Sequence, residues 1–227
     1  LDLQKTLKNA VARAGSQVPV KLSTDDFEVL RTEHLTRTAT VLLFDQSRSM
    51  GMYSNFASAK RVALALHALI QNQYSRDKLF IVGFSDYAVQ LKTEDLPEAT
   101  WNSWVSGTNM HHAFSLSRKL LSKERAGTKQ ILMITDGEPT THLEGTQAYF
   151  SYPPSYRTID ETLKEVKRCT QSGIIINTFM LETSSYLLDF VDKMTRLNKG
   201  RAFYSSADQL GQYVLVDYVH NQRKRIR

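Results

Sequence analysis

The stretch that most restricts the fold is Val41-Leu42-Leu43-Phe44-Asp45-Gln46-Ser47-Arg48-Ser49. An unbroken apolar run stops abruptly in an acid, followed by two hydroxyls at alternate positions. A run with no polar alternation is the signature of a strand buried on both faces, as in parallel sheets. Such a strand delivers its first polar residues at its C-terminal edge, where ligands gather in open α/β sheets. In an extended exit, the alternation of Asp45, Ser47 and Ser49 turns all three side chains to one side. One carboxylate and two hydroxyls form a hard, oxygen-only donor set suited to Mg²⁺ or Mn²⁺ rather than zinc.

Downstream of Thr38 the pattern alternates strand and helix, as βαβ units do. Buried strands are expected at Thr40–Asp45, Lys78–Phe84, Gln130–Thr135 and Ile174–Met180, with short ones at Ala88–Leu91 (antiparallel, at an edge) and Arg201–Tyr204. Helices are expected at Phe56–Gln71, His111–Leu121, Ile159–Gln171, Tyr186–Leu197 and from Gln209. In the first of these, Ala57, Val62, Leu64, Ala65, Ala68 and Leu69 are dense enough to imply wide burial. Helical connections between buried strands imply right-handed crossovers and a mainly parallel sheet. The fold class is therefore α/β, doubly wound. Residues 1–37 are more polar, with a helical start (Leu3, Leu7, Val11), and read as a leader or linker before a domain spanning 38–227. Gly137–Ser155 reads as a long loop, polar and aromatic. Within Thr140–Tyr156, the residues His142, Tyr149, Phe150, Tyr152 and Tyr156 either contact a partner or fold back as a mini-core.

Bulk properties narrow the functional classes. Among 227 residues, 41% are hydrophobic and 23% charged, enough for a sizeable core. The net charge is +6 and the pI about 9.3. Arg223-Lys224-Arg225-Ile226-Arg227 supplies four of the positive charges and reads as a solvated tail rather than a nucleic-acid patch. Cys169 is the single cysteine, so an internal disulfide is excluded and a reducing, cytoplasmic setting is expected. No apolar run approaches the roughly 20 residues that span a bilayer, and no signal peptide is visible. The start at Leu1 rather than Met is what a piece cut from a longer chain would show. Neither Gly-x-x-x-x-Gly-Lys-Ser/Thr nor Gly-x-Gly-x-x-Gly occurs, so nucleotide binding has no support. His111 and His112 open a helix near Thr108 and read as half-buried or capping residues, or as neighbours of a bound partner. Met50-Gly51-Met52-Tyr53 is expected to shape the rim of the site.

Two further strand exits bear on the site: Ser106-Gly107-Thr108-Asn109 at a helix start, and Asp136-Gly137 directly after Ile134-Thr135. With Asp45, Ser47 and Ser49 this arrangement resembles the von Willebrand factor A (integrin I-like) domain and its metal ion-dependent adhesion site. The family's Asp-x-Ser-x-Ser, Thr and Asp-Gly positions fall on Asp45, Ser47, Ser49, Thr108 and Asp136 without departure, and the resemblance covers roughly residues 38–222. It implies a mostly parallel six-stranded sheet with one short antiparallel edge strand, helices on both faces and a divalent ion at the C-terminal edge. It further implies that Ser47 and Ser49 ligate the ion directly, Thr108 directly or through water, and Asp45 and Asp136 mostly through water and hydrogen bonds. An ion held by neutral hydroxyls keeps part of its charge and favours an outside carboxylate. The implied role is a non-enzymatic, Mg²⁺- or Mn²⁺-dependent protein-binding module that captures a partner's Asp or Glu. Within the family the chain looks like the bacterial intracellular branch, associated with MoxR-type or magnesium-chelatase-like AAA+ ATPases. Two alternatives belong to other classes. One is a metal-dependent phosphoester hydrolase using Asp45 or Asp136, although Gln46 and Ser47 stand where an aspartyl-phosphate enzyme places a second acid. The other is a metal-free structural scaffold.

Overall fold

The computed structural model describes residues 3–15, 19–28, 37–51, 54–101 and 103–223. The chain separates into two units, Leu1–Leu35 and Thr36–Arg225. In the first unit α1 (Leu3–Ala14) buries Thr6 and Ala10 and leaves Leu3, Leu7 and Val11 exposed. Arg13 grips Asp26 through Nε and a terminal nitrogen, at 2.9 and 2.6 Å. That guanidinium, with the Ser23 N–H, holds the Asp26 carboxyl at about 2.

The second unit is built on β1 (Thr38–Asp45), buried along its whole length. Its neighbours in chain order are β2 (Lys78–Phe84), β3 (Ala88–Leu91), β4 (Thr128–Thr135), β7 (Ile174–Met180) and β8 (Ala202–Tyr204); β5 (Thr141–Glu144) and β6 (Gln147–Phe150) form a separate hairpin. The six-stranded sheet has the order β3-β2-β1-β4-β7-β8. All its pairings are parallel except β2 with β3. The chain winds outward from β1 to one side through β2 and then to the other through β4, so the order reverses between β1 and β4. That reversal opens a crevice at the strands' C-terminal ends.

Successive β1 side chains feed opposite cores. Ala39, Val41 and Leu43 pack with the helices α3 (Met110–Ser122), α4 (Tyr156–Gln171) and α5 (Ser185–Asn198). Leu42 and Phe44 pack with α2 (Asn55–Gln73) and α6 (Leu210–Arg223). The doubly wound α/β expectation therefore holds. Two local expectations do not. α2 buries one stripe (Phe56, Ala59, Val62, Ala63, Leu66, Ile70) while Ala57, Leu64, Ala65 and Ala68 face outward, because only one side of the helix meets the sheet. The expected loop at 137–155 contains the hairpin β5–β6, closed by Gly145-Thr146 with Gly145 at φ +61°. Cys169 lies buried on α4, and burial pushes its thiol to about 12, so the thiolate is disfavoured at neutral pH. Of the basic tail, residues 224–227 lie outside the described part, as do Met52 and Tyr53.

The far sheet edge is packed too tightly for any side chain at Gly200. A Cβ there would overlap the Ile176 carbonyl oxygen on β7, next to the Asn198 side chain that accepts the Ile176 N–H. Gly200→Ala is expected to lower unfolding stability by at least about 2 kcal/mol, read as a shifted midpoint in chemical denaturation, because backbone rather than a side chain must yield.

Candidate metal centre

Five residues from two strand exits, those of β1 and β4, and from the loop ahead of α3 meet at this crevice; the Thr108 segment, expected at a strand exit, is separated from β3 by a 3₁₀ turn at Thr93–Glu98. β1 ends in Asp45, Ser47 follows just past the sheet edge, and Ser49 sits in the short 3₁₀ turn Arg48–Gly51 that comes next. The turn is pressed from outside by the Trp101 ring, which occupies the space any Cβ on Gly51 would need. Met50 points inward and is fully buried, so it belongs to the core rather than the rim. Asp136 follows β4 directly. Thr108 comes from the loop ahead of α3 and lines the same open cleft of about 820 Å³ as Ser49 and Asp136.

Hydrogen bonds link four of the five into one chain. The Ser47 N–H donates to Asp45 Oδ1 at 2.8 Å. The Ser49 hydroxyl donates to Asp136 Oδ1 at 2.7 Å. The two serine oxygens stand 3.1 Å apart, and with the Ser49 proton committed to Asp136, Ser47 is the donor between them. Thr108 is fixed through its backbone: its N–H donates to the Thr140 hydroxyl at 2.9 Å, and its carbonyl accepts from Thr140 and Thr141 N–H at 3.2 and 3.4 Å. Gly107, ahead of it, has no room for a side chain between Asp86 and Thr141.

Three supporting residues were not picked out from the sequence. Thr135 donates to Asp45 Oδ2 at 2.8 Å, and Asn55 donates to Asp136 Oδ2 at 3.3 Å. Thr140 holds Thr108. Thr135 is the last residue of a buried strand and Asn55 the first of a helix. A polar residue at the very end of an apolar run was the available clue, and only for Thr135.

The electrostatics follow from burial. Asp45 is fully buried, and loss of solvent together with the charge of Asp136 pushes its carboxyl up to about 7, against the opposing hydrogen bonds from Ser47 and Thr135. Burial also raises Asp136, opposed by Ser49 and Asn55 and reinforced by the nearby charge of Glu182. No Lys, Arg or His forms an ion pair with either acid among the described residues. No group of three or more His, Cys, Asp or Glu is placed to hold a metal among those residues either, so any ion held at this edge would have to rely on hydroxyl oxygens. Two acids short of counter-charge, beside three hydroxyls, fit a hard divalent cation and do not fit zinc or copper.

Residues 38–219 match the family described as Rv0959-like protein, vWA domain. The chain belongs to that family. Residues 1–32 match the third domain of the same Rv0959-like proteins. Rv0959 of Mycobacterium tuberculosis (strain ATCC 25618 / H37Rv) is 35% identical over 97% of this chain, and Mb0984 of Mycobacterium bovis is equally similar. This chain spans about a third (34%) of the length of these relatives. Among solved structures, BatB from Bacteroides thetaiotaomicron is similar with a TM-score of 0.60 at 16% identity, over 82% of this chain and 99% of that one. The vWF domain of the type V pili tip protein Mfa5 from Porphyromonas gingivalis gives 0.60 at 12% identity, over 82% and 95%. The pilus adhesin SpaC from Lactobacillus rhamnosus GG, in its open conformation, gives 0.62 at 15% identity, over 84% and 30%. These likenesses establish the vWA-type α/β fold. Among the described residues no helix is long and apolar enough to cross a membrane.

A carboxyl whose folded value lies above its ordinary value binds protons more readily when folded, so its contribution to stability declines as pH rises from about 4 toward 7. In chelator-treated protein at pH 7.5, Asp45→Asn is therefore expected to raise stability by about 2 kcal/mol. The gain should shrink toward zero near pH 4, as measured by denaturant titration at both pH values.

Proposed function

We propose that the vWA domain is a divalent-metal-dependent protein-binding module that captures an Asp or Glu of a partner, and not an enzyme. One observation carries the reading: Asp45 and Asp136, both buried and both raised, are surrounded by hydroxyls and an amide in place of a basic side chain. A purely structural role would be met as well by neutral residues of the same shape, without the cost of burying charge. In this reading Ser47, Ser49 and Thr108 hold the ion, and Mg²⁺ or Mn²⁺ when bound supplies the positive charge that attracts the partner's carboxylate. Asp136 fixes the direction of the Ser49 hydroxyl and Asp45 fixes the Ser47 backbone, as carboxylates behind a metal site do. The cleft opens to solvent past Arg48, Glu138 and Tyr152, leaving space for a partner's side chain.

The partner is proposed to be an acidic protein surface, on an AAA+ ATPase of the MoxR or chelatase type or on a substrate of one, and the net charge of +6 modestly favours its approach. A cytoplasmic setting agrees with the single buried cysteine. A hydrolase reading has less support, because Gln46, beside Asp45, is tied by its amide to the Thr100 carbonyl oxygen at 2.9 Å.

Calorimetric titration of Mg²⁺ and Mn²⁺ into chelator-stripped protein tests the site. Saturable one-to-one binding is expected, with at least a tenfold loss of affinity in Ser47→Ala/Ser49→Ala at unchanged fold. Undiminished binding by that double variant would place the ion elsewhere. Capture of an acidic partner at full strength in EDTA would refute the bridging role.

A further inference from the structure

The first turn of α3 gathers the loops around the Thr108 position. Asn109 caps the helix, its side-chain oxygen accepting the His112 N–H at 2.9 Å. The Asn109 backbone N–H donates to the Ser85 carbonyl at 2.8 Å and its amide to the Asp86 carbonyl at 2.7 Å, which fastens the β2–β3 turn. The next two contacts come from histidines. The Leu143 N–H in β5 donates to His111 Nδ1 at 3.2 Å. The Ala88 N–H at the start of β3 donates to His112 Nδ1 at 3.0 Å. A ring nitrogen that receives an N–H must present its lone pair, so the bonding pattern places the proton of each ring on Nε2. Leu143 lies three residues beyond Thr140, which with Thr141 holds both backbone groups of Thr108.

We infer that His111 and His112 are positioning residues that secure the hairpin β5–β6 and the β2–β3 turn around the Thr108 loop only while both rings are neutral, so that acidification loosens this frame. Protonation would turn each Nδ1 into a donor facing another donor and break both bonds at once. Each bond is the ring's link to a segment outside its own helix, and neither segment has a second histidine contact to replace it. His142 on β5 does not substitute, because it bonds to the Thr158 hydroxyl at 3.0 Å and to Glu144 at 3.3 Å.

Burial favours a neutral ring at both positions; the neighbouring charges add to it at His112 and partly oppose it at His111. Burial lowers the His111 value first. Glu165 and Glu161 on α4 oppose that shift, while His142 on β5 and Arg168 on α4 add to it. Glu165 is already occupied by Arg118 at 2.6 Å and Arg168 at 2.8 Å. For His112, burial again comes first, followed by His111 and Lys119 on its own helix; Tyr87 of the β2–β3 turn stands edge-on to the ring at 6.2 Å. A histidine lowered by folding stabilises above its ordinary value of 6.5, and that stability is lost as pH falls from 6.5 through the lower folded value. Across that window each ring weakens the frame by up to about tenfold per pH unit.

Amide hydrogen exchange in metal-free protein between pH 7.5 and 5, corrected for the intrinsic rate, reads the frame directly. Because no metal is needed, this result is independent of the ion-binding proposal. Protection of the Leu143 and Ala88 amides is expected to fall at least tenfold between pH 6.5 and 5, while Leu132 in the central sheet stays unchanged. His111→Asn/His112→Asn sets an amide oxygen near each Nδ1, an acceptor that does not titrate; in this variant protection should be flat with pH. Flat protection in the wild type, or the same fall in the Asn variant, would overturn the inference. Should the variant not fold, nitrogen-15 titration of the wild-type imidazoles decides. Ring protonation below pH 6.5 in step with the loss of protection supports the inference, and ring protonation with both amides still protected refutes it.

Discussion

Desolvation of one carboxylate governs this molecule. Asp45 is the last residue of the most buried strand, and the parallel neighbours that make β1 a good core strand also remove the water that would keep its acid ionised. Hydrogen bonds from Ser47 and Thr135 recover part of the lost hydration, yet the carboxyl still rises to about 7. A second acid, Asp136, leaves the neighbouring strand across the crevice and deepens the problem. Local structure at this edge follows from that tension: a serine turn aimed at the acids, a threonine beneath one of them and an asparagine beside the other.

The sheet order places these groups in reach of each other. Because the winding reverses between β1 and β4, their exits are adjacent while the connecting helices depart on opposite faces, and the space between them stays open. The loop ahead of α3 crosses that opening. Its backbone is held by Thr140 and Thr141 on one side and by the β2–β3 turn on the other, with Gly107 admitting the close approach of both. The hydroxyl of Thr108 thus inherits its location from backbone bonds rather than from its own side-chain contacts.

What could be read from the sequence divides along physical lines. Buried parallel strands are continuous apolar runs, so β1, β2, β4 and β7 were visible to within a residue or two, and the acids and hydroxyls at their ends stood out by contrast. The hairpin β5–β6 was not visible. Thr-His-Leu-Glu and Gln-Ala-Tyr-Phe lack clear alternation, because the first strand is buried by α3 and α4 while the second is left largely open. α2 misled in the opposite sense, since alanines satisfy a helix on either face and Leu64 is exposed. The polar supports Asn55 and Thr140 depend on tertiary contact and carry no local pattern. For the same reason the contacts of His111 and His112 emerged only from the fold.

Trp101 sits flat against Gly51, at the end of the turn that carries Ser49, and is 38% exposed. Its neighbour Thr100 is tied to Gln46, one residue past Asp45. The indole therefore shares the mechanical fate of the turn: any displacement of that backbone changes how much water reaches the ring. Trp104 is 94% exposed, so its indole is already in water and is expected to add a nearly constant background to the emission. The domain thus contains its own optical gauge of the serine turn, and emission wavelength reports the conformation of that turn without any attached label.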